Sequence, residues 1–471
     1  ANVNVTASGK GGQINIQTNS LTVDQGGNIV SVTRGKGDAG DIKITAKSAI
    51  LLSETTLDGE TPSTIAVSTT NGTGNAGILN ITTDSLKVLN GAQIASTTRT
   101  TGKGGLVNIK AQNIELIGFS QLGRSGIFSN SFISSGDSGN IDIVTDTLNI
   151  KEGATITASN FQSRDTTITP GTGKAGEIKI VADSIQLESS LTDEPSTITA
   201  ATNINKGGDI NLAVAKFVQL DGNSQITAET QNTGNGGKIT LNTTTLALTN
   251  GGLISTNSFG AGDAGDIEVN LINQNNFSLE NTALSETFSI PNSNFNQSLI
   301  LFNQAQISTN SEDFGQAGNI TINGKQLKAD QGSITATSIN TGGGNIKLNL
   351  TSDEDAILLE NNSLISTSVL DSTGGGGNIT IDSRAGFILA NNNSDIRANA
   401  VFGQGGKIQI ITKGIFLNNE SEIDASSQFG EDGTVEIIFD PNVQNLGVIQ
   451  LPSIPVDVNK LIATGCPLDE Q

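Results

Sequence analysis

Carboxylates are the only abundant groups in this chain with acid–base or metal chemistry. Its 471 residues include 46 Asp and Glu against 25 Lys and Arg, no His, Met, Trp or Tyr, and one cysteine, Cys466. Zinc therefore lacks a ligand set, and catalysis on a glycan would need two or three carboxylates converging on one face. Tight acidic clusters are few: Asp193-Glu194, Asp353-Glu354-Asp355 and Glu431-Asp432. Each lies beside a turn, where a solvated acidic corner is the simpler reading. No aromatic sugar platform of Trp or Tyr is available, and the sixteen Phe are thinly spread. No catalytic residue is assigned, and the chain reads as a non-enzyme.

Calcium is the remaining metal candidate. Asp38 with Asp41, and Asp263 with Asp266, stand in two Gly-Asp-Ala-Gly-Asp corners and offer hard oxygen donors. A calcium-binding repeat array would carry Gly-Gly-x-Gly-x-Asp in consecutive turns, and that pattern is not sustained. The competing reading is Asp serving a turn. No other cofactor is implied. A row of hydroxyls, Thr157, Thr199, Thr227, Ser255, Ser308, Thr335 and Ser366, follows a recurring Ile. Ser, Ala and Asn interrupt it, so it reads as ordinary outward polar residues of good strand propensity rather than a flat ice-binding ladder.

The elements that carry these residues repeat. Glycine, any residue, apolar, any, apolar recurs with its glycine at Gly12, Gly40, Gly77, Gly105, Gly139, Gly176, Gly208, Gly237, Gly265, Gly318, Gly344, Gly377, Gly406 and Gly433. A second glycine often stands three residues earlier, as in Gly37 and Gly262. A second phrase, Leu86-Lys87-Val88-Leu89-Asn90-Gly91-Ala92-Gln93-Ile94, has counterparts in most periods. A period near thirty residues with alternation of two predicts an all-β parallel β-helix, or β-solenoid. It has three short strands per coil and about fourteen coils, joined at corners where Gly and Asn accept the left-handed backbone. Ile42, Leu79 and Val107 are expected in one inward column.

Residues 1–10 read as a partial coil, 11–440 as the parallel β-helix, and 441–471 as an extended, Pro-rich C-terminal arm or a cap on the last coil. Four of the eight prolines stand in that arm, at Pro441, Pro452, Pro455 and Pro467. Insertions are placed between second and third strands at Glu54 to Ser63, Phe119 to Gly126, Glu188 to Ser196, and Glu280 to Ala305 with Phe288, Phe295 and Phe302. Another, Phe161 to Gly171, follows a third strand. The absence of Met marks a processed or excised segment whose signal peptide is missing. Cys466 has no internal disulfide partner. The net charge of −21 speaks against nucleic acid and anionic membranes, and no apolar run approaches a membrane span.

The coil Gly74-Asn75-Ala76-Gly77-Ile78-Leu79-Asn80-Ile81 followed by Leu86 to Thr97 resembles the repeats of filamentous-haemagglutinin-like exoproteins of two-partner secretion. The tail, Asp440-Pro441-Asn442 through Gly447-Val448-Ile449-Gln450-Leu451-Pro452 to Gly465-Cys466, is similar to that of their cyanobacterial members. The resemblance implies a right-handed helix, export through an outer-membrane partner, and a role in adhesion or aggregation. It places the chain outside a Gram-negative-type cell or on its outer surface. Such proteins carry an Asn-Pro-Asn-Gly secretion motif, which this sequence lacks. The expected function is a non-enzymatic rod that presents a glycan or cell-surface ligand site. The alternatives are an end-to-end homo-oligomeric fibre subunit and a polysaccharide hydrolase or lyase.

Overall fold

The computed structural model describes residues 2–4, 6–132, 135–161, 171–190, 193–272, 297–353, 355–371 and 374–440. These residues form no helix, and every strand pairing between coils is parallel. The chain winds as a β-solenoid. Ile42 pairs with Leu79 and Leu79 with Val107, and all three side chains are fully buried. The same column continues through Ile141, Ile178, Ile210, Ile239, Ile267 and Ile320. Each such residue, removed from water, contributes roughly 1.5–3 kcal/mol.

First and second strands belong to one sheet and often run on as a single bent strand. Leu79–Thr82 and Ser85–Leu89 are separate, whereas Ile42–Ser53 and Ile178–Glu188 are continuous. A register shift at Ala182/Ser184 marks one such bend. The third strands form the other sheet, with Ile29, Ile65, Ile94 and Ile127 in register. The fourteen expected first-strand rungs, from Ile14–Val23 to Thr434–Phe439, are present and bound about 13 turns. At ~4.8 Å per rung the stack is roughly 60 Å long.

The two glycine sets solve different problems. At the corner between second and third strands, Gly26, Gly91, Gly153, Asn90, Asn223 and Asn250 take positive φ, as a tight turn requires. The fourteen repeat glycines do not, which corrects the expectation that all corners need left-handed backbone. A Cβ on Gly265 would lie 1.9 Å from the carbonyl oxygen of Gly237, and one on Gly318 would lie 1.8 Å from that of Gly265. From Gly176 onward the repeat glycines also donate their N–H back across the corner, Gly237 to Ala228 and Gly265 to Thr256, at 2.7 and 2.9 Å. Close approach of backbone to backbone, not torsion, selects glycine there.

Two further expectations are corrected. The hydroxyl row is not ordinary outward surface: Thr157, Thr227, Ser255, Ser308 and Ser366 are buried, and Thr199 and Thr335 are half-buried. The longest insertion lies between first and second strands, because Ile267–Leu271 precedes it and Ser298–Phe302 follows it. Phe302 is thus a strand residue, while Phe288, Phe295 and most of Phe161 to Gly171 fall outside the described residues. The other three insertions lie between second and third strands as expected.

Replacing Gly265 by alanine is expected to lower stability by about 3 kcal/mol or more through that backbone clash. Gly342, whose added Cβ would meet nothing within 4 Å, is the control. Chemical denaturation of both variants checks this; equal midpoints would rule out the close-approach account.

Candidate binding surface

The carboxylates singled out for calcium serve the stack. Asp38 Oδ1 accepts the backbone N–H of Asn75 in the next coil at 2.8 Å and its side-chain amide at 3.0 Å. Asp41 Oδ1 accepts from Ile78 N–H at 2.9 Å, and its other oxygen meets Lys10 Nζ at 2.9 Å. Asp263 and Asp266 accept from the N–H of Gln316 and Asn319 at 2.9 and 2.8 Å. Partial burial pushes the Asp41 carboxyl up, but the Ile78 N–H and Lys10 outweigh it and hold it below its ordinary value.

Asparagine does the same work elsewhere. Asn319 and Asn345 accept from the N–H of Asn345 and Asn378, each at 3.1 Å. Among the described residues no three of Asp, Glu and Cys gather to hold a metal ion. Of the acidic clusters, Glu194 is ion-paired and Asp432 accepts the Ser427 N–H at 2.8 Å, while Glu354 lies outside the described residues.

The insertions make the surface. Residues 54–63 form a small hairpin closed by an antiparallel bridge between Thr55 and Pro62, with Leu57 at its tip 99% exposed. Phe119–Ser120 and Gly123–Arg124 pair as a second hairpin, with Phe119 and Leu122 exposed. The third, around 188–196, is tied to the second by Arg124, whose guanidinium meets Glu194 Oε2 at 2.7 Å and the Pro195 carbonyl at 2.6 Å.

All three insertions share one anchor. Each ends in a buried serine, Ser63, Ser125 or Ser196, whose hydroxyl accepts the N–H of Gly26, Gly91 or Gly153 in the preceding coil. Each then leans over that corner. An added Cβ would fall 2.2 Å from Thr56 Cγ2 at Gly26, and 2.2 Å from Ser120 Oγ at Gly91. At Gly153 it would fall 3.2 Å from both Phe119 Cδ1 and the Glu194 carbonyl oxygen. The three insertions therefore occupy alternate coils and stack along one edge.

Farther along that edge asparagines replace them. Asn303 donates to Asn250 Oδ1 at 2.8 Å, and Asn392 to Asn361 Oδ1 at 2.9 Å. On the opposite side of the third strands, Phe402 and Phe429 stack at 5.1 Å and 18°. Their separation matches the step from Gly406 to Gly433, a signal that thin overall spacing of Phe conceals.

One perturbed acid, Glu229, follows the third strand Gln225–Thr227. Glu229 Oε1 accepts from Ser255 Oγ at 2.6 Å. Burial pushes its carboxyl up, the Ser255 bond opposes this and Glu312 adds to it, leaving the group at about 7. No signal in the residues around Glu229 announces this, because its cover is assembled from other coils.

No family model, no curated protein and no solved structure matches the chain.

Two outcomes are expected. Asp266→Asn keeps the corner bond and leaves the melting temperature nearly unchanged, whereas Asp266→Ala costs about 1 kcal/mol. Equal losses in a thermal melt would instead implicate the negative charge, as at a cation site. For Glu229, the folded state holds its proton more tightly than the unfolded chain. Its ionisation therefore costs stability progressively from about pH 4.5 to about pH 7 and fully above that. Glu229→Gln should recover roughly 2–3 kcal/mol at pH 8 and nothing below pH 4, read from denaturation midpoints across pH.

Proposed function

We propose that the chain is a non-enzymatic extracellular or cell-surface rod acting in adhesion, aggregation or as a structural scaffold. The observation that carries this reading is the row of insertions anchored on alternate coils along one edge. Leu57 on the first insertion and Phe119 and Leu122 on the second stand exposed at this edge of a chain of net charge −21. A rigid stack with tips repeated at fixed steps suits many weak contacts acting together. The proposed partner is a glycan or another cell-surface ligand that meets this edge sideways.

The carboxylates support the same reading. Asp38, Asp41, Asp263 and Asp266 are occupied with the N–H groups of the next coil. Such groups hold the rod together and are poorly placed to share a substrate proton. The resemblance to filamentous-haemagglutinin-like exoproteins adds an outer-membrane secretion partner and a place outside a Gram-negative-type cell.

Both tips are exposed, so Leu57→Asp with Leu122→Asp should leave the melting temperature unchanged. Attachment to glycan arrays or to cells is expected to fall about tenfold. Unchanged attachment would discard the insertion edge as the contact. Cleavage of acidic glycans by the purified chain would discard the non-enzymatic reading.

A further inference from the structure

The C-terminal end of the described stack is open. Val435 and Ile437 pair with Ile408 and Ile410, which are fully buried, yet they are 42% and 39% exposed. Among the described residues Thr434–Phe439 supplies only the first strand of its coil and pairs only with Lys407–Leu417. The second-strand part of Lys407–Leu417 therefore has no neighbour on its outer side among the described residues, and Leu417 is 41% exposed. The third strand Ile423–Asp424 likewise pairs, among the described residues, only with Ile396 and Arg397. Two rungs, at Ile415 and Ile423, wait for one strand pair.

We infer that residues 441–451 of the same chain complete this coil, with Val443 over Ile415 and Leu451 over Ile423. Spacing carries the assignment. From first-strand Ile to second- and third-strand apolar residues the steps are 7 and 14 in Ile320, Leu327 and Ile334. They are 9 and 17 in Ile379, Ile388 and Ile396, and 7 and 15 in Ile408, Ile415 and Ile423. Val443 and Leu451 stand 8 and 16 residues after Val435, inside both ranges. The described chain stops at Asp440, directly beside the open rungs, so no long loop has to be closed. Pro452 and Pro455 follow at once, and neither can donate to a further rung.

A second copy is the poorer occupant. At the other end Asn2–Val3 enters the stack at the close of a third strand, paired with Val32 and Thr33. In a head-to-tail contact made through Asn2–Val3, no described residue of the second copy would reach the second-strand rung of the last coil.

Hydrogen exchange on the full chain tests this, with Val443→Asp/Leu451→Asp as the disrupting variant and Val456→Asp, beyond the prolines, as its control. Amides of 414–417 and 423–424 that face away from the preceding coil should exchange at least about tenfold more slowly in the full chain and in the control than in the double variant. Unchanged protection of Ile346–Leu350 shows that the rest of the stack is intact. Protection that appears only as protein concentration rises would overturn the inference in favour of a second copy. Equal exchange in the full chain and the double variant, or loss in the control, would overturn it outright.

Discussion

The fold depends on how closely one backbone can lie upon the next. At each repeat glycine after Gly12 the carbonyl of the coil below occupies the space a Cβ would fill, with separations near 2 Å at most positions. That approach sets the corner at which the third strand returns to the first. With the corner fixed, the N–H of the glycine reaches the small residue of its own third strand, Ala228 for Gly237 and Ala336 for Gly344. Ile and Leu then fall into columns because nothing remains free to slip. Register, burial and the shape of each turn are consequences of a missing side chain.

Polar groups are handled with the same economy of parts. A buried hydroxyl beside the corner returns its proton to a corner carbonyl, as Thr98 does to Gly102 at 2.7 Å and Thr309 to Gly318 at 2.9 Å. Outside, Asp and Asn side chains accept the N–H that a loop would otherwise leave to water. Charge is incidental to this task, which is why the two residues alternate along the same line. Glu229 is the exception: its cover comes from neighbouring coils, and its carboxyl sits where ionisation is disfavoured.

Much of this architecture was legible in the residues because it is local and periodic. The phrase Gly-x-apolar-x-apolar announces both a strand and its inward face, and Ile42, Leu79 and Val107 align as that phrase demands. What was not legible depends on contacts between coils. Nothing near Gly265 distinguishes a glycine chosen for torsion from one chosen for proximity. Arg124 and Glu194 are 70 residues apart and meet only because alternate coils bring their insertions together. The longest insertion was placed one strand too late, since an apolar stretch such as Ser298–Phe302 looks alike at either end of a gap. Burial of Thr157 and Ser255 escaped notice for a related reason: alternation says which way a side chain points, not what lies over it.

The anchoring of insertions has a geometric corollary. Because each one rests on the corner of its predecessor, a neighbour on the very next coil would compete for the same ground. Decoration of this edge is therefore quantised. Adjacent tips stand at least two rungs apart, roughly 10 Å, and any wider spacing grows by whole rungs. Lengthening the molecule by a coil shifts an ornament along the axis by one fixed increment without altering its attitude. The edge thus behaves as a graduated scale, on which spacing and chemical character can vary independently.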